Sequence, residues 1–166
     1  MKKLARLTAL LLTGALLLVL TACVAETEQQ AKQRLLEEIN SYRKSIHLEP
    51  LVEVEQLSEA EQVLIESFHA AGKTKLSSLD GEEASKKWLS MTADWKLCAD
   101  FGLGSEVGGF TILTTKVPAN TPEGKAKLWA TLRSSGKFDN EACKYIGIGV
   151  VTIDGQMYWT CSIFHN

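Results

Sequence analysis

A cysteine near the amino terminus is the side chain whose surroundings most clearly predict a chemical modification. Cys23 closes a stretch of small and apolar residues, 20–23, which follows an apolar run that begins at Leu7. Residues 1–6 carry three basic side chains and no acidic one. A basic start, an apolar middle and small residues at the end are typical of a secretory signal. The apolar run is shorter than the ~20 residues that a membrane-spanning helix needs.

The order Leu-Thr-Ala-Cys at residues 20–23 resembles a bacterial lipobox, in which the cysteine is acylated and becomes the first residue of the mature protein. We therefore predict that residues 1–23 are a lipoprotein signal peptide and that Cys23 is lipidated. The lipid would anchor the protein to a cell membrane, facing outside the cytoplasm. The alternatives are an ordinary signal peptide with an incidental cysteine, and a single membrane anchor.

The charge of the remaining chain argues against nucleic acid as a partner. The 166-residue chain has a formal net charge of −2, and its three basic residues before Cys23 are lost with the signal, which shifts the charge to −5. Nucleic-acid binding requires a basic stripe or patch, which this acidic remainder lacks. We predict a short tether over residues 24–30 and one domain over residues 31–166, long enough to bury a hydrophobic core.

The other side chains that could ligate metals or act as nucleophiles are scattered along the chain. The three histidines, His47, His69 and His165, have no spacing that would bring two of them together. Ser105 has a leucine two positions before it, where the nucleophile elbow Gly-x-Ser-x-Gly requires a glycine. Neither pattern predicts a catalytic centre, and we assign no catalytic residue.

Two apolar runs at the carboxyl terminus predict the clearest structural element. The runs 145–153 and 156–164 are joined by Asp154-Gly155, a pair favoured in two-residue type I′ hairpin turns. Both faces of the predicted hairpin are apolar, and a sheet that is apolar on both faces must be covered on both. We therefore expect helices on the two faces of a small antiparallel sheet.

The predicted register of this hairpin limits how the cysteines pair. Cys98, Cys143 and Cys161 remain beyond the lipid site, so at least one of them cannot pair within the chain. Cys161 would face Ile148, roughly 16 Å along the strand from Cys143, whereas a disulfide allows at most ~7 Å between Cα atoms. A bond from Cys98 to either of the others, or three unpaired thiols, remains open.

Helix-start signals precede two amphipathic segments in the first half of the domain. Thr27-x-x-Gln30 matches a capping box, as does Ser58-x-x-Glu61. Apolar residues at helical spacing follow each match. The sequence therefore predicts a first helix shortly after Cys23 and a second that begins near residue 58.

Shorter elements are predicted in the second half. A third helix is expected over residues 82–91, after an Asp-Gly turn, and β-branched residues favour a strand over 110–117. Thr121-Pro122 is a strong helix start, because proline is favoured at the first helical position. That fourth helix is expected to end near Gly136.

Two long segments then match, in order, the two ends of a known family. Residues 35–68 contain an asparagine-bearing helix, a Pro-Leu pair and a second amphipathic helix. Residues 129–164 follow the pattern Trp…Ser-x-Gly…Ile-Gly-x-Gly-Val…Tyr-Trp-Thr-x-x-Phe. The chain in these respects resembles the CAP superfamily, also called SCP-like or cysteine-rich secretory protein domains. The resemblance implies an α+β fold, an α-β-α three-layer sandwich whose small antiparallel sheet is flanked by helices.

Departures from the family pattern determine whether the predicted cleft could bind a divalent metal ion. The resemblance implies a cleft with two histidines and two acids, which in many members can hold a divalent ion. Here Lys137 stands where the tail motif has a histidine, and the stretch 75–81 has none and presents Ser77. A protonated lysine has no lone pair for a metal. We therefore predict neither a metal site nor a cofactor.

The residues expected to line this altered cleft are Ser77, Glu106, Glu123 and Lys137, and Lys137 is expected to form an ion pair with Glu106. The resemblance and the missing histidines together predict a membrane-tethered, non-enzymatic binding module. Its ligand would be a cell-wall or lipid fragment or a surface protein. The alternative is a degenerate extracellular hydrolase that acts on peptide or cell-wall polymers through Glu106, and a third reading is a scaffold in a surface complex.

Overall fold

The computed structural model describes residues 25–70, 78–101 and 115–165. Helices and strands both occur, so the described chain is α+β, as the sequence predicts. In chain order the elements are α1 (Glu28–Ser45), β1 (Val52–Glu53), α2 (Glu55–Ala70), α3 (Ser78–Met91), β2 (Lys96–Phe101), β3 (Thr115–Lys116), α4 (Pro122–Ser135), β4 (Tyr145–Ile153) and β5 (Gln156–His165). None of these helices is both long enough and apolar enough to cross a membrane. The predicted sites Cys23, Ser77 and Glu106 lie outside the described residues.

The sheet is mixed, whereas the sequence predicted an antiparallel one. Its strand order is β1-β4-β5-β2, with β3 also paired to β5, and β1 runs parallel to β4. Asn40 of α1 anchors the residue before β1, because its amide accepts from the Leu51 N–H at 2.8 Å and donates to the Leu51 carbonyl at 3.0 Å. This two-point contact fixes the chain just before β1. A contact across eleven residues was not visible in local sequence patterns.

The carboxyl-terminal hairpin forms in the predicted register. Ile153 pairs with Gln156, and the turn residues Asp154 and Gly155 have φ angles of 50° and 75°. Positive φ at both central positions is what a type I′ turn requires. Alternate residues of the hairpin enter two separate apolar clusters. The first cluster includes residues of α1 and α4, and the second includes residues of α2 and α3.

Glycines in β4 allow the backbone of α2 to lie directly against the strand. A Cβ atom at Gly147 would stand 2.4 Å from the carbonyl carbon of Leu57, and one at Gly149 would stand 2.7 Å from that of Glu61. Real Cβ atoms do not approach backbone atoms so closely. The Gly-x-Gly spacing therefore determines how near α2 comes to the sheet.

Side chains from α1 and α2 cap the outer edge of β4. Alternate backbone N–H groups along this edge each donate to a side-chain oxygen, Ile148 to Ser58 Oγ, Val150 to Gln62 Oε1 and Thr152 to Glu28 Oε1. The Gln62 amide also donates to the Val150 carbonyl at 3.0 Å. These contacts satisfy edge groups that would otherwise be open to another strand.

Two helix starts differ from the prediction. Helix α2 begins at Glu55, so Ser58 and Glu61 are buried inside it rather than capping it. The Ser58 hydroxyl is used by β4 and by Glu53, to which it donates at 2.7 Å. Helix α3 begins at Ser78, so the predicted Asp-Gly turn lies within the first turns of the helix.

The first and last helices agree with the prediction. Thr27 and Gln30 form the capping box of α1 in both directions. Thr121 caps α4, and Gly136 ends it in the left-handed conformation, with φ of 62°. The predicted strand over 110–117 can be assessed only at its end, where β3 occupies 115–116, because residues 102–114 lie outside the description.

A disulfide joins Cys98 to Cys143, with 6.1 Å between the Cα atoms, and Cys161 is a buried free thiol. This resolves the alternatives left open by the sequence and agrees with the exclusion of a bond from Cys143 to Cys161. Cys98 is the extra residue of a bulge between Leu97 and Ala99, which directs its side chain to the partner.

The buried guanidinium of Arg43 holds the segment that leads to Cys143. It donates to four backbone carbonyls, those of Glu49, Phe138, Asn140 and Cys143, at 2.7 to 3.2 Å. Arg43 is 1% exposed. Four of the five N–H groups of the guanidinium therefore have an acceptor, and a buried charge is tolerated when it is hydrogen-bonded in this way.

Candidate functional site

Lys137 lies at the solvent-exposed end of the candidate site. The left-handed conformation of Gly136 turns the chain at the end of α4 and sends the Lys137 side chain to the end of β2. Its Nζ donates to the backbone carbonyl of Asp100 and to Asp100 Oδ1 at 3.1 Å. The two side chains are 38% and 30% exposed, so a ligand in solvent can reach both charges. The partner of Lys137 in the described chain is therefore Asp100, which the sequence did not single out.

The other predicted cleft residues do not join this pair. Glu123 is exposed in the first turn of α4, and the length of that helix separates it from Lys137 by about 20 Å. The structure therefore does not bring Glu123 and Lys137 together. Glu106 and Ser77 are outside the described residues, so the predicted pairing of Lys137 with Glu106 stays a prediction.

A buried carboxyl group, Glu61, lies close enough to Asp100 for the two charges to interact. Helix α2 places it over β5, because α2 packs closely on β4 at Gly149. Glu61 is fully buried, its Oε1 accepts from Trp88 Nε1 at 2.7 Å, and its Oε2 lies 3.2 Å from Thr160 Oγ1. The carboxyl therefore connects α2, α3 and β5.

Burial changes the acidity of this carboxyl. Desolvation raises the pKa of Glu61 from 4.5 to about 7, against the opposing effects of Trp88, Ser162 and Thr160, and the negative charge of Asp100 adds to the rise. Without solvent, the ionised carboxylate loses more stabilisation than the neutral acid. Glu61 thus exchanges its proton near neutral pH.

Hydrogen bonds and strand pairing connect the buried acid to the exposed pair. Thr160 Oγ1 lies 3.1 Å from the carbonyl oxygen of Phe101, the residue that follows Asp100. Asp100 itself pairs with Ser162 across the two strands. The Ser162 hydroxyl is near enough to Glu61 to lower its pKa, although Ser162 Oγ is buried without a regular hydrogen bond to any described atom.

Cys161 does not behave as a nucleophile in this arrangement. Burial raises the pKa of its thiol well above the usual value, and the nearby charge of Glu61 raises it further. A reactive cysteine needs the thiolate form and access to solvent. Cys161 is fully buried and is a packing residue.

The described residues contain no group of three histidine, cysteine or acidic side chains that could hold a metal ion. His47 is exposed in the turn after α1. Two open clefts lie away from Lys137, one of 360 Å³ between the start of α1 and α2, and one of 1170 Å³ along α1 and the 47–50 turn. Neither cleft includes Glu61 or Asp100 in its lining.

Sequence reasoning missed Glu61 because it matched a capping pattern. A signal was present, since Leu57, Glu61 and Ile65 recur every four residues and so share one stripe of a helix. An acid on an apolar stripe is a buried polar group that needs partners. The pairing of Asp100 with Lys137 left no comparable local signal.

A scan of the chain against models of protein families returned no match, and a search of the curated proteins returned none.

Proposed function

We propose that this protein is a lipid-anchored, extracytoplasmic binding protein with a CAP-like domain. The resemblance of residues 35–68 and 129–164 to that family supports the domain assignment. A three-layer α-β-α sandwich is compatible with the two apolar clusters, one reached by α1 and α4 and the other by α2 and α3.

The contact between Lys137 and Asp100 is the observation that carries the binding role. At the position where the resemblance implies a metal-ligating histidine, an ammonium group is engaged by two oxygens of Asp100. An ammonium group has no lone pair with which to ligate a metal. A partly exposed cation beside a partly exposed anion is suited to recognising a charged ligand, such as a cell-wall fragment, a lipid fragment or a surface protein.

The proposed lipid anchor rests on the Leu-Thr-Ala-Cys order at residues 20–23, and two further features are compatible with it. The capping box of α1 begins at Thr27, so only a few residues separate the domain from Cys23, a reach of roughly 15 Å at most. The domain would therefore sit close to the membrane surface. The disulfide of Cys98 with Cys143 supports export, because such bonds persist mainly in oxidising compartments.

The alternative, a degenerate hydrolase acting on peptide or cell-wall polymers, draws support from Glu61. A carboxyl group whose pKa is about 7 is suited to general acid or base catalysis near neutral pH. Against this alternative, Glu61 is 0% exposed, and both of its oxygens face protein groups. A catalytic acid must reach the substrate, so we favour binding.

Binding of defined probes tests this proposal. Soluble cell-wall fragments and phospholipid vesicles are titrated into the purified protein, into Lys137→Ala and into Lys127→Ala, whose lysine is exposed on α4 away from Asp100. We expect one probe class to bind and Lys137→Ala to weaken it roughly tenfold, as loss of a charged contact does, with little change for Lys127→Ala.

The mixtures with cell-wall fragments are also assayed over several hours for new chain ends, which hydrolysis of the fragments would release. Turnover of the wall fragments that is lost in Glu61→Gln would overturn the binding proposal and support the hydrolase. Equal binding by the two lysine variants would show that Lys137 is not in the binding site.

A further inference from the structure

Glu61 of α2 contacts two other elements and, through one of them, the end of β2. Through Trp88 it holds α3, and through Thr160 it reaches β5 and the carbonyl of Phe101 at the end of β2. The indole of Trp88 also packs against Phe164, with 6.1 Å between the ring centroids. A change at this one carboxyl group therefore acts on α3 and on the end of β2 together.

The hydrogen-bond count around Thr160 favours a neutral carboxyl group. A hydroxyl donates a single hydrogen, yet Thr160 Oγ1 lies between two acceptors, Glu61 Oε2 and the Phe101 carbonyl. If Glu61 is ionised, one of these two oxygens has no donor from Thr160. If Glu61 is protonated, it donates to Thr160 Oγ1, and Thr160 in turn donates to Phe101. The neutral acid completes the chain of bonds.

We propose that Glu61 is a pH-sensitive latch, which in its neutral form holds α3 and the end of β2 against the sheet and on ionisation loosens both. The proton leaves Glu61 Oε2 for solvent. The Thr160 hydroxyl can then donate its one hydrogen either to the carboxylate or to the Phe101 carbonyl, but not to both. The carboxylate is the stronger acceptor, so the bond to β2 is the one that is lost. The bond from Trp88 Nε1 becomes stronger as well, but the buried carboxylate has lost its solvent, and this larger cost favours movements of α3 that admit water. The unpaired hydroxyl of Ser162 is the remaining donor near the carboxylate.

Burial opposes the ionisation of Glu61 more strongly than the hydrogen bonds of Trp88, Ser162 and Thr160 favour it. Helix α3 contributes the uncharged indole of Trp88, and β5 contributes Thr160, Ser162 and the thiol of Cys161. From β2 comes the negative charge of Asp100, which raises the pKa of Glu61. The positive charge of Lys137 is bound to Asp100 rather than to Glu61.

The position of the latch determines which part of α3 would move. At the carboxyl-terminal end of α3, the backbone carbonyl of Met91 accepts a hydrogen bond from Gln56 Nε2 at 2.7 Å, and neither group is titratable. Trp88 lies one turn earlier and is bound to the titrating carboxyl. We therefore expect the carboxyl-terminal end of α3 to stay attached while the part before Trp88 loosens. The end of β2 carries Asp100, so the latch also reaches the exposed pair with Lys137.

Two measurements on the full-length protein test the latch. The first is a carbon NMR titration of glutamate side-chain carboxyls between pH 4 and 9. One glutamate should titrate near pH 7, and its signal should be missing in Glu61→Gln. The second is amide hydrogen exchange across α3 and α1, compared after division by the intrinsic rates. Above neutral pH, exchange in α3 should rise roughly tenfold relative to α1 in the natural protein.

The matched variants separate the latch from a general effect of pH. Glu61→Gln keeps the shape of the side chain but cannot ionise, so the ratio of exchange in α3 to α1 should not depend on pH. Glu59→Gln, an exposed change two residues away, should behave like the natural protein. If every glutamate is ionised by pH 6, or if the exchange ratio stays constant with pH in the natural protein, the latch is overturned. Should Glu61→Gln fail to fold, the NMR titration and exchange of the natural protein decide alone.

Discussion

Gly149 of β4 faces the backbone of Glu61 so closely that a Cβ atom there would stand 2.7 Å from both the carbonyl carbon and the carbonyl oxygen of Glu61. The position of α2 on the sheet, and with it the position of the buried carboxyl, depends on the missing side chain of this glycine. The same glycine pairs with Thr160 across the hairpin, so one small residue brings the acid and its hydroxyl partner together.

We expect Gly149→Ala to lower the free energy of unfolding by about 2 to 3 kcal/mol, because overpacking against backbone atoms cannot be relieved by a side-chain rotation. Chemical denaturation followed by circular dichroism measures this loss. Thr152→Ala, an exposed change on the same strand, is the control and should alter stability by less than about 0.5 kcal/mol. A Gly149→Ala protein as stable as the natural one would mean that α2 can move away from β4 at little cost.

The buried carboxyl should make stability depend on pH with a definite sign. The pKa of Glu61 is about 7 in the folded state, against 4.5 for the ordinary group, so between these values the folded protein binds a proton that the unfolded chain does not. Its contribution is therefore complete below pH 4.5 and is lost as the pH rises to about 7. We expect the free energy of unfolding to be roughly 2 to 3 kcal/mol higher at pH 5 than at pH 8 from this group.

Comparison with Glu61→Gln isolates that contribution. The difference in unfolding free energy between the natural protein and Glu61→Gln should change by this amount from pH 5 to pH 8, because the other titrating groups are common to both. A difference that stays constant over this range would show that Glu61 is ionised in the folded protein throughout.

The disulfide should be a major source of stability. It closes a loop over a sequence separation of 45 residues, and the chain-entropy estimate for such a loop is about 4 kcal/mol. We expect the double variant Cys98→Ser, Cys143→Ser to unfold at a correspondingly lower denaturant concentration. Adding a reductant should destabilise the natural protein and leave the double variant unchanged. Equal midpoints with and without reductant would show that the bond contributes nothing.

The buried guanidinium of Arg43 should not be replaceable by a lysine. One ammonium group cannot reach four carbonyls that surround a planar fork, so several acceptors lose their donor in Arg43→Lys. We expect a loss of roughly 3 kcal/mol in the free energy of unfolding, measured by denaturation. The exposed change Lys44→Ala next to it should have little effect. A tolerated Arg43→Lys would mean that water replaces the missing donors.

The lipid on Cys23 can be tested by labelling. Cells that express the protein are fed a radioactive fatty acid, and the protein is recovered from the membrane fraction. We expect label in the natural protein and none in Cys23→Ser, because the thiol is the proposed site of acylation. Label that persists in Cys23→Ser would contradict the lipid anchor at this residue.

The parts of the fold that were predictable from sequence are those specified by neighbouring residues. Thr27 and Gln30 lie within one helical turn, so their capping pattern can be recognised locally. Asp154-Gly155 directly joins the two strands whose register it sets, so this turn can also be recognised locally. The hairpin register then followed from the turn and correctly excluded a bond between Cys143 and Cys161.

What the sequence did not predict depends on contacts between distant segments. Ser58 and Glu61 match a capping pattern, but β4 and β5 supply partners that draw both into the interior. The amide of Asn40 holds Leu51, the residue before β1, from eleven residues away. The partner of Lys137, Asp100, is 37 residues away in sequence, and spacing alone gave no reason to choose it.

The side chains of Ser58, Gln62 and Glu28 along β4 limit how one molecule can add to another at high concentration. An uncapped strand border is a template on which identical chains can polymerise into a continuous ribbon. Here the hydroxyl, amide and carboxylate already accept from three of the N–H groups that such growth would need. On this flank, the protein is therefore protected against amyloid-like self-assembly at high local concentration.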